Sequence, residues 1–331
     1  MHLAQFYTLK NVFKNKVFIE WFNKHNLIKE CILEPFAGSN NIISLLKEIY
    51  PQIDSKSFDI DPKNEDVQYN DSILNFPKGY KACISNPPYL ASTVSSRKNI
   101  EQSFYVSKHE DLYQACLNLA LGNCQYIAMI IPASYLQSNK LGFNRLSHLI
   151  YLEQENLFED TSHPCCLILI DNERKFPQDV DFKIYSNEKY LGSYKNLFGY
   201  LDNTLIKFKI NHFKNEGNVL LHKIDSSNDR IKFYKTSEIE NKDYNYRSWG
   251  KFYINLEESD LNNFIYYCNL ELKKYREYSK DIELTPFKGM NKINKFRRRI
   301  ENKKIDQLVN KVLLENFKHI KLTTLNKQYG K

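Results

Sequence analysis

Residues 86–89, Asn-Pro-Pro-Tyr, gather an amide oxygen, a backbone carbonyl and an aromatic ring within four positions. The apolar run before them, Lys81, Ala82, Cys83, Ile84 and Ser85, reads as a buried parallel strand that ends in a loop. Two consecutive prolines hold that loop extended and donate no hydrogen bond, which leaves the Pro87 carbonyl to accept from outside the chain. Asn86 Oδ1 and the Pro87 carbonyl can each take one proton of an NH2 group on a planar substrate, while the Tyr89 ring stacks on its face. An aromatic amine is a poor nucleophile because its lone pair is delocalised. Two acceptors on its protons favour a tetrahedral nitrogen that attacks an electrophilic methyl in line, with no covalent intermediate and no cysteine. Taken alone, such a tetrapeptide is as often a proline turn closing a strand.

The elements before it supply what that chemistry needs. Asn11 to about Asn26 has a helical stripe of Val12, Phe13, Val17, Phe18, Trp21 and Phe22. A short buried strand at Cys31 to Leu33 runs into Glu34-Pro35-Phe36-Ala37-Gly38-Ser39-Asn40, and a helix follows from Asn41 to Tyr50. A strand that passes through a small-residue turn into a helix presents backbone N–H groups to a ligand. A second strand ends at Phe58 and leads to Asp59-Ile60-Asp61-Pro62. An acid there, about 20 residues past the turn, is where such a unit binds the two ribose hydroxyls of a nucleoside cofactor. Asn70-Asp71-Ser72 is a third acidic site. Each is singly more often a cap or a solvated turn residue; their order and spacing ahead of the tetrapeptide make the set.

After the tetrapeptide come a polar loop at 92–99, a helix from about Glu101 to Leu121, a buried strand from Gln125 to Ile131, and two more strands at Leu149–Leu152 and Cys165–Ile170. Strands alternating with helices, then two strands with no long helix between them, predict a mostly parallel α/β sheet with an antiparallel edge hairpin. Beyond about residue 171 the texture changes to short alternating strands at 182–185 and 231–234, polar loops rich in Asn and Lys, and helices at 261–278 and 303–317. The expected organisation is a catalytic domain over 1–171 and a smaller α+β domain over 172–331.

Charge divides along the same line. Residues 1–170 hold 15 Lys+Arg against 17 Asp+Glu, net −2, whereas 171–331 hold 32 against 22, net +10. A basic half beside a neutral one points to a polyanion-binding module. No stretch approaches the roughly 18 apolar residues of a membrane span, and the amino terminus lacks the apolar core of a signal peptide, so a cytoplasmic location is expected. The seven cysteines form no CxxC and lie mostly in apolar runs, which predicts reduced core thiols and no metal site. Pro164-Cys165 has the look of a cysteine nucleophile, but Cys165 and Cys166 open the apolar strand and read as core.

The ordered motifs resemble the gamma group of S-adenosylmethionine-dependent, amino-type DNA methyltransferases, over about residues 3–171. That resemblance implies a Rossmann-like methyltransferase sheet followed by a target-recognition domain, with S-adenosyl-L-methionine as cofactor. It implies that Gln5, Phe6, Tyr7 and Thr8 close over the methionine part of the cofactor, and that Glu34, Phe36, Ala37 and Gly38 form the first cofactor loop. Asp59 with Ile60 would hold the ribose, Asp71 with Ser72 the adenine amino group, and Asn86 with Pro88 would border the cofactor. Phe158 would be the second aromatic that sandwiches a flipped base against Tyr89. Three positions depart from the family pattern: Asn40 stands where glycine is usual, Leu9 where proline is, and Ala82 where an acid is. Asn is the best non-glycine residue for a left-handed backbone, so the turn at Asn40 can survive.

The implied activity is methylation of adenine N6 in double-stranded DNA, as the modification half of a pair with a restriction endonuclease. Methylation of a protein glutamine or of structured RNA, and a DNA-binding protein without activity, are the rivals. In the basic half, Arg247, Trp249 and Lys251 form one candidate DNA contact, and Lys295, Arg297, Arg298 and Arg299 another, whose bland alternative is a solvated surface.

Overall fold

The computed structural model describes residues 10–89, 111–138, 140–153, 163–173, 180–208, 210, 212, 217–225, 230–239, 248–291 and 295–317. It divides into two units, residues 1–195 with 288–295, and 196–287 with 296–331. The expected division at 171/172 therefore falls inside the first unit. Strands just past it complete the first unit's sheet.

Helix α1 (Lys16–Lys24) opens the first unit behind a cap in which Asn15 accepts from Val17 N, and it buries Val17, Phe18, Trp21 and Phe22. The helix expected over 11–26 thus begins later, after a single turn at Val12–Lys14. The sheet strands are β1 (Ile32–Glu34), β2 (Ser55–Asp59), β3 (Val67–Tyr69), β4 (Ala82–Ser85), β5 (Tyr126–Pro132), β6 (Leu146–Tyr151), β7 (Cys165–Asp171), β8 (Lys183–Ser186) and β9 (Lys189–Ser193). Their spatial order is β3-β2-β1-β4-β5-β7-β6-β8-β9. Helix α2 (Asn41–Lys47) connects β1 to β2, and α3 (Leu112–Asn123) precedes β5.

All strands run parallel except β7, which is antiparallel to β5 and β6, and β9, antiparallel to β8. The edge hairpin exists, but β8 and β9 form it. The strand at 165–171 lies inside the sheet between β5 and β6, and its run Cys165–Ile170 is wholly buried, as a central strand requires. All seven cysteines are free and six are buried.

The second unit packs a three-stranded antiparallel sheet, β10 (Val219–His222) flanked by β11 (Lys232–Lys235) and β12 (Trp249–Phe252), against helices α5 (Glu258–Ser279) and α6 (Asn302–Asn316). A four-residue helix, α4 (Tyr194–Leu197), comes before it. Val219, Leu221, Phe233 and Phe252 share a buried cluster with Phe264, Cys268, Leu308 and Val312. Strands β13 (Thr285–Met290) and β14 (Phe296–Arg299) pair with each other. No helix among the described residues is long and apolar enough to cross a membrane.

Candidate functional site

β2, β1 and β4 are neighbours, so the loops that leave their carboxyl ends lie side by side. Glu34 closes β1 with its side chain wholly buried. Its Oε1 accepts from Ser85 Oγ at 2.6 Å and from Phe36 N at 3.2 Å, and its Oε2 is buried with no hydrogen-bond partner. Burial pushes this carboxyl up to about 8, against the downward pull of those two bonds and with a small push from the Asp59 charge. Ser85, the last residue of β4, is a site residue that sequence reading passed over. Only the pairing of β4 beside β1 brings it to Glu34.

The turn after Glu34 is tied to β2. Gly38 takes a left-handed φ of 52°, and its N–H donates to Asp59 Oδ2 at 2.7 Å, while Asp61 N donates to Oδ1 at 2.8 Å. Ala37 N donates to the Phe58 carbonyl at 2.9 Å. Asn40 adopts φ 65°, the conformation anticipated for it, and its Oδ1 accepts from Ser57 Oγ at 2.7 Å. The asparagine thus supplies a bond to β2 that glycine lacks.

Asp59 is 5% exposed and accepts from the N–H groups of Gly38 and Asp61, which fixes its carboxylate at the carboxyl end of β2. Asp71 spends Oδ1 on the N–H groups of Ile73 and Leu74 at 3.0 and 3.2 Å, and its second oxygen is outside these bonds. Ser72 is buried and takes a 2.9 Å bond from Asn70 Nδ2. Ile60 is 36% exposed, and half-buried Phe36 packs on Ile73, Leu112 and Cys116. An orphaned buried carboxylate oxygen, two further acids at neighbouring strand ends and an exposed aliphatic side chain suit a ligand that joins a cationic group, a diol and a flat amino-bearing ring. S-adenosyl-L-methionine is such a ligand.

Of the tetrapeptide, Asn86 and Pro88 are half-buried, and Pro87 and Tyr89 are buried. Tyr89 is 8% exposed; its Oη lies 2.5 Å from Asn86 Oδ1 and 2.9 Å from the Ile130 carbonyl. Tyr113 meets the Tyr89 ring edge-on with centroids 6.4 Å apart, and His163 lies at 6.3 Å. Burial raises the Tyr89 phenol well above its ordinary value, so it keeps its proton. Cys165 and Cys166 are buried, and the same cause raises both thiols, which is the state of core residues rather than nucleophiles. Gln5, Phe6, Tyr7, Thr8 and Phe158 lie outside the described residues.

The basic candidates separate. Trp249 has His222 at 4.5 Å and Tyr234 at 6.2 Å between ring centroids, and Lys251 is half-buried on the same strand. Lys295 is exposed, and it falls in the first unit. The Arg297 guanidinium lies over the Phe287 ring at 4.9 Å, and Arg299 pairs with Glu301 at 3.0 Å. Arg298 is 7% exposed and donates to the Asp281 carbonyl at 3.1 Å, so it is built into the second unit rather than presented to a partner. That corrects its placement among the surface candidates: alternate residues of β14 face inward, and 298 is one of them. Arg247 lies outside the described residues. Among the described residues no cluster of His, Cys, Asp and Glu has the makings of a metal site.

A mixed sheet of this order, with acidic loops beside an amide-bearing loop at the strand carboxyl ends, is the mixed α/β arrangement that the sequence predicts. Residues 7–158 match the family model described as Eco57I restriction-modification methylase. Over that stretch, a little under half of its length, the chain is similar to methylases of the restriction-modification type. Among solved structures, the chain is similar to a putative class I S-adenosylmethionine-dependent methyltransferase from Listeria monocytogenes, at 15% identity and TM-score 0.37, covering 51% of this chain and 64% of that one. It is also similar to the type IIG restriction endonuclease BpuSI, at 15% identity and TM-score 0.38, covering 54% of this chain and 27% of that one. A third is a modification subunit of a putative type I restriction enzyme from Vibrio vulnificus, at 13% identity and TM-score 0.37, covering 55% and 47%. This chain thus spans less than two thirds of each. No curated protein matches it.

Proposed function

We propose that the protein transfers a methyl group from S-adenosyl-L-methionine to the N6 amino group of an adenine flipped out of duplex DNA. The first unit would carry cofactor and chemistry and the second, basic unit would bind DNA, as the modification half of a system with a partner endonuclease, working in the cytoplasm. Bound cofactor supplies an electrophilic sulfonium methyl. Glu34 Oε2 receives the ammonium group of its methionine part, the Asp59 carboxylate the ribose hydroxyls, and Asp71 the adenine amino group, with Ile60 against that ring. Asn86 Oδ1 and the Pro87 carbonyl accept the two amino protons of the target, and the nitrogen lone pair is left to attack in line. The methylated amine releases a proton to water, so no side-chain base is needed.

The observation that carries this reading is the 2.6 Å bond from Ser85 Oγ to Glu34 Oε1, which joins the residue before Asn86 to the head of the cofactor loop. That bond ties the amide-bearing loop to the loop that would hold the methyl donor. Tyr89 is covered on nearly all sides, so a base that stacks on it must displace some of that cover, an expense within the few kcal/mol of base flipping. The test is a tritium-transfer assay on genomic DNA, ribosomal RNA and total protein with the full chain and with Asn86→Ala. Label in the N6-methyladenine of DNA, lost in Asn86→Ala while cofactor binding is kept, is expected. Label confined to RNA or protein, or a variant with near-normal turnover, refutes it.

A further inference from the structure

Glu34 is bonded through one oxygen only. Oε1 accepts from Ser85 Oγ at 2.6 Å and from Phe36 N at 3.2 Å, while Oε2 is buried with no partner. A carboxylate oxygen kept from water without a donor is costly, so such an atom marks the place of a donor that a ligand brings. The last torsion of a glutamate is broad, and the plane of its carboxylate is therefore set by whatever donates to it. The two donors here differ in kind. Phe36 N–H, two residues on, belongs to the turn that Glu34 opens. Ser85 lies 51 residues away on β4, buried in a strand held between β1 and β5, and its bond is the shorter. It ties the carboxylate to a frame outside that turn.

We propose that Ser85 is a positioning residue: its hydroxyl fixes the plane of the Glu34 carboxylate, keeps Oε2 for an ammonium group, and so makes the site select ligands with a free amino group. The inference rests on the role given to Glu34 in the proposed function. Ser85 itself touches no ligand. With both donors on Oε1, the second oxygen has one defined position; with Phe36 N alone, the carboxylate plane can turn about that single bond and Oε2 spreads over several. A spread acceptor loses directional hydrogen bonding to a cation. The Ser85 bond acts a second time in the same direction. It favours the charged carboxylate, the form that an ammonium group needs, against the burial that pushes this carboxyl up to about 8.

Titration calorimetry of the full chain tests this with two ligands, S-adenosylhomocysteine and the analogue in which hydrogen replaces its amino group. Ser85→Ala is expected to weaken S-adenosylhomocysteine about tenfold, as for one hydrogen bond to a charged group, and to leave the deaminated analogue within about twofold. In a Glu34→Gln chain the same replacement should cost less than about twofold, because the carboxylate it positions is gone. A loss below about threefold with Ser85→Ala, an equal loss for both ligands, or an equal loss in the Glu34→Gln chain overturns the inference. Should Ser85→Ala fail to fold, Ser85→Cys keeps nearly the same volume with only a weak donor, and the same outcomes are read on it. Binding is measured with no methyl acceptor present, so the two proposals fail separately. A parent chain that shows this binding pattern but labels no DNA refutes the proposed function and leaves the inference standing. One that labels DNA while binding both ligands equally refutes the inference alone.

Discussion

Glu34→Gln tests the most unusual electrostatic feature of the first unit. The Glu34 side chain is wholly buried and titrates near 8 instead of 4.5, chiefly because its charged form has lost its water. Its pKa is raised on folding, so the unfolded chain gives up the proton first, and stability falls as pH rises from about 4.5 to about 8. Each pH unit in that window costs ~1.4 kcal/mol, which puts the loss at roughly 3 kcal/mol at pH 7 and under about 1 kcal/mol at pH 5. Glutamine stays neutral and its Oε1 can still accept from Ser85 and Phe36. Its NH2, at the position of the partnerless Oε2, adds a penalty that does not vary with pH. The quantity to read is therefore how the difference between the two chains changes with pH: it should move by roughly 2–3 kcal/mol in favour of glutamine between pH 5 and pH 7. Urea unfolding followed by Trp21 fluorescence, with Trp249→Phe in both chains so that only the first unit reports, measures it. Curves that stay parallel across pH would sink the reasoning. A cationic ligand beside Oε2 favours the ionised carboxyl, so cofactor affinity should rise with pH toward 8 in the parent chain and lose that rise in Glu34→Gln.

Four further outcomes are expected. Arg276 donates to both oxygens of Asp225, at 3.1 and 2.6 Å, and to Asp281 at 2.7 and 2.9 Å; Arg276→Ala strands two acids and should cost about 2–4 kcal/mol in urea unfolding read on Trp249. Gly217 has no room for a side chain, since a Cβ would lie 2.6 Å from the Phe252 carbonyl oxygen, so Gly217→Ala should destabilise the second unit by more than about 1 kcal/mol in the same assay. Replacing both Cys165 and Cys166 by alanine should leave methyl transfer within about threefold of the parent while lowering stability by a few kcal/mol, because these are packing residues; abolished transfer in a folded chain would reinstate a thiol mechanism. Lys251→Ala and Lys295→Ala should each lower the salt slope of DNA binding by about 1, whereas Arg298→Ala should act on thermal stability and leave the slope alone.

Much of the strand-and-turn order of the first unit was readable because its motifs are local: Glu34 to Asn40 and Asn86 to Tyr89 each end a short apolar run, and Asp59 closes β2, whereas β3, of only three residues ahead of Asp71, has no such run. The expected left-handed asparagine at 40 is also a local property, set by what a side chain permits at positive φ. The shift in composition at 171/172 coincides with the passage from buried central strands to the exposed edge strands β8 and β9, which lie in the same unit. The basic run at 297–299 had no helical or strand pattern long enough to divide inward from outward residues, and so Arg298 was grouped with its neighbours.

By itself the sequence determined which loops hold acids, which hold the amide and proline acceptors, and that a basic stretch follows a neutral one, since these depend on residue type and spacing over a few positions. Only the tertiary structure decided that Ser85 meets Glu34 across 51 residues, that Tyr89 leans on Ile130 across 41, and that β7 enters the sheet between β5 and β6. Those contacts are set by strand order, and strand order is chosen by how the whole sheet buries its apolar faces at once, a global packing condition that no short window of residues encodes.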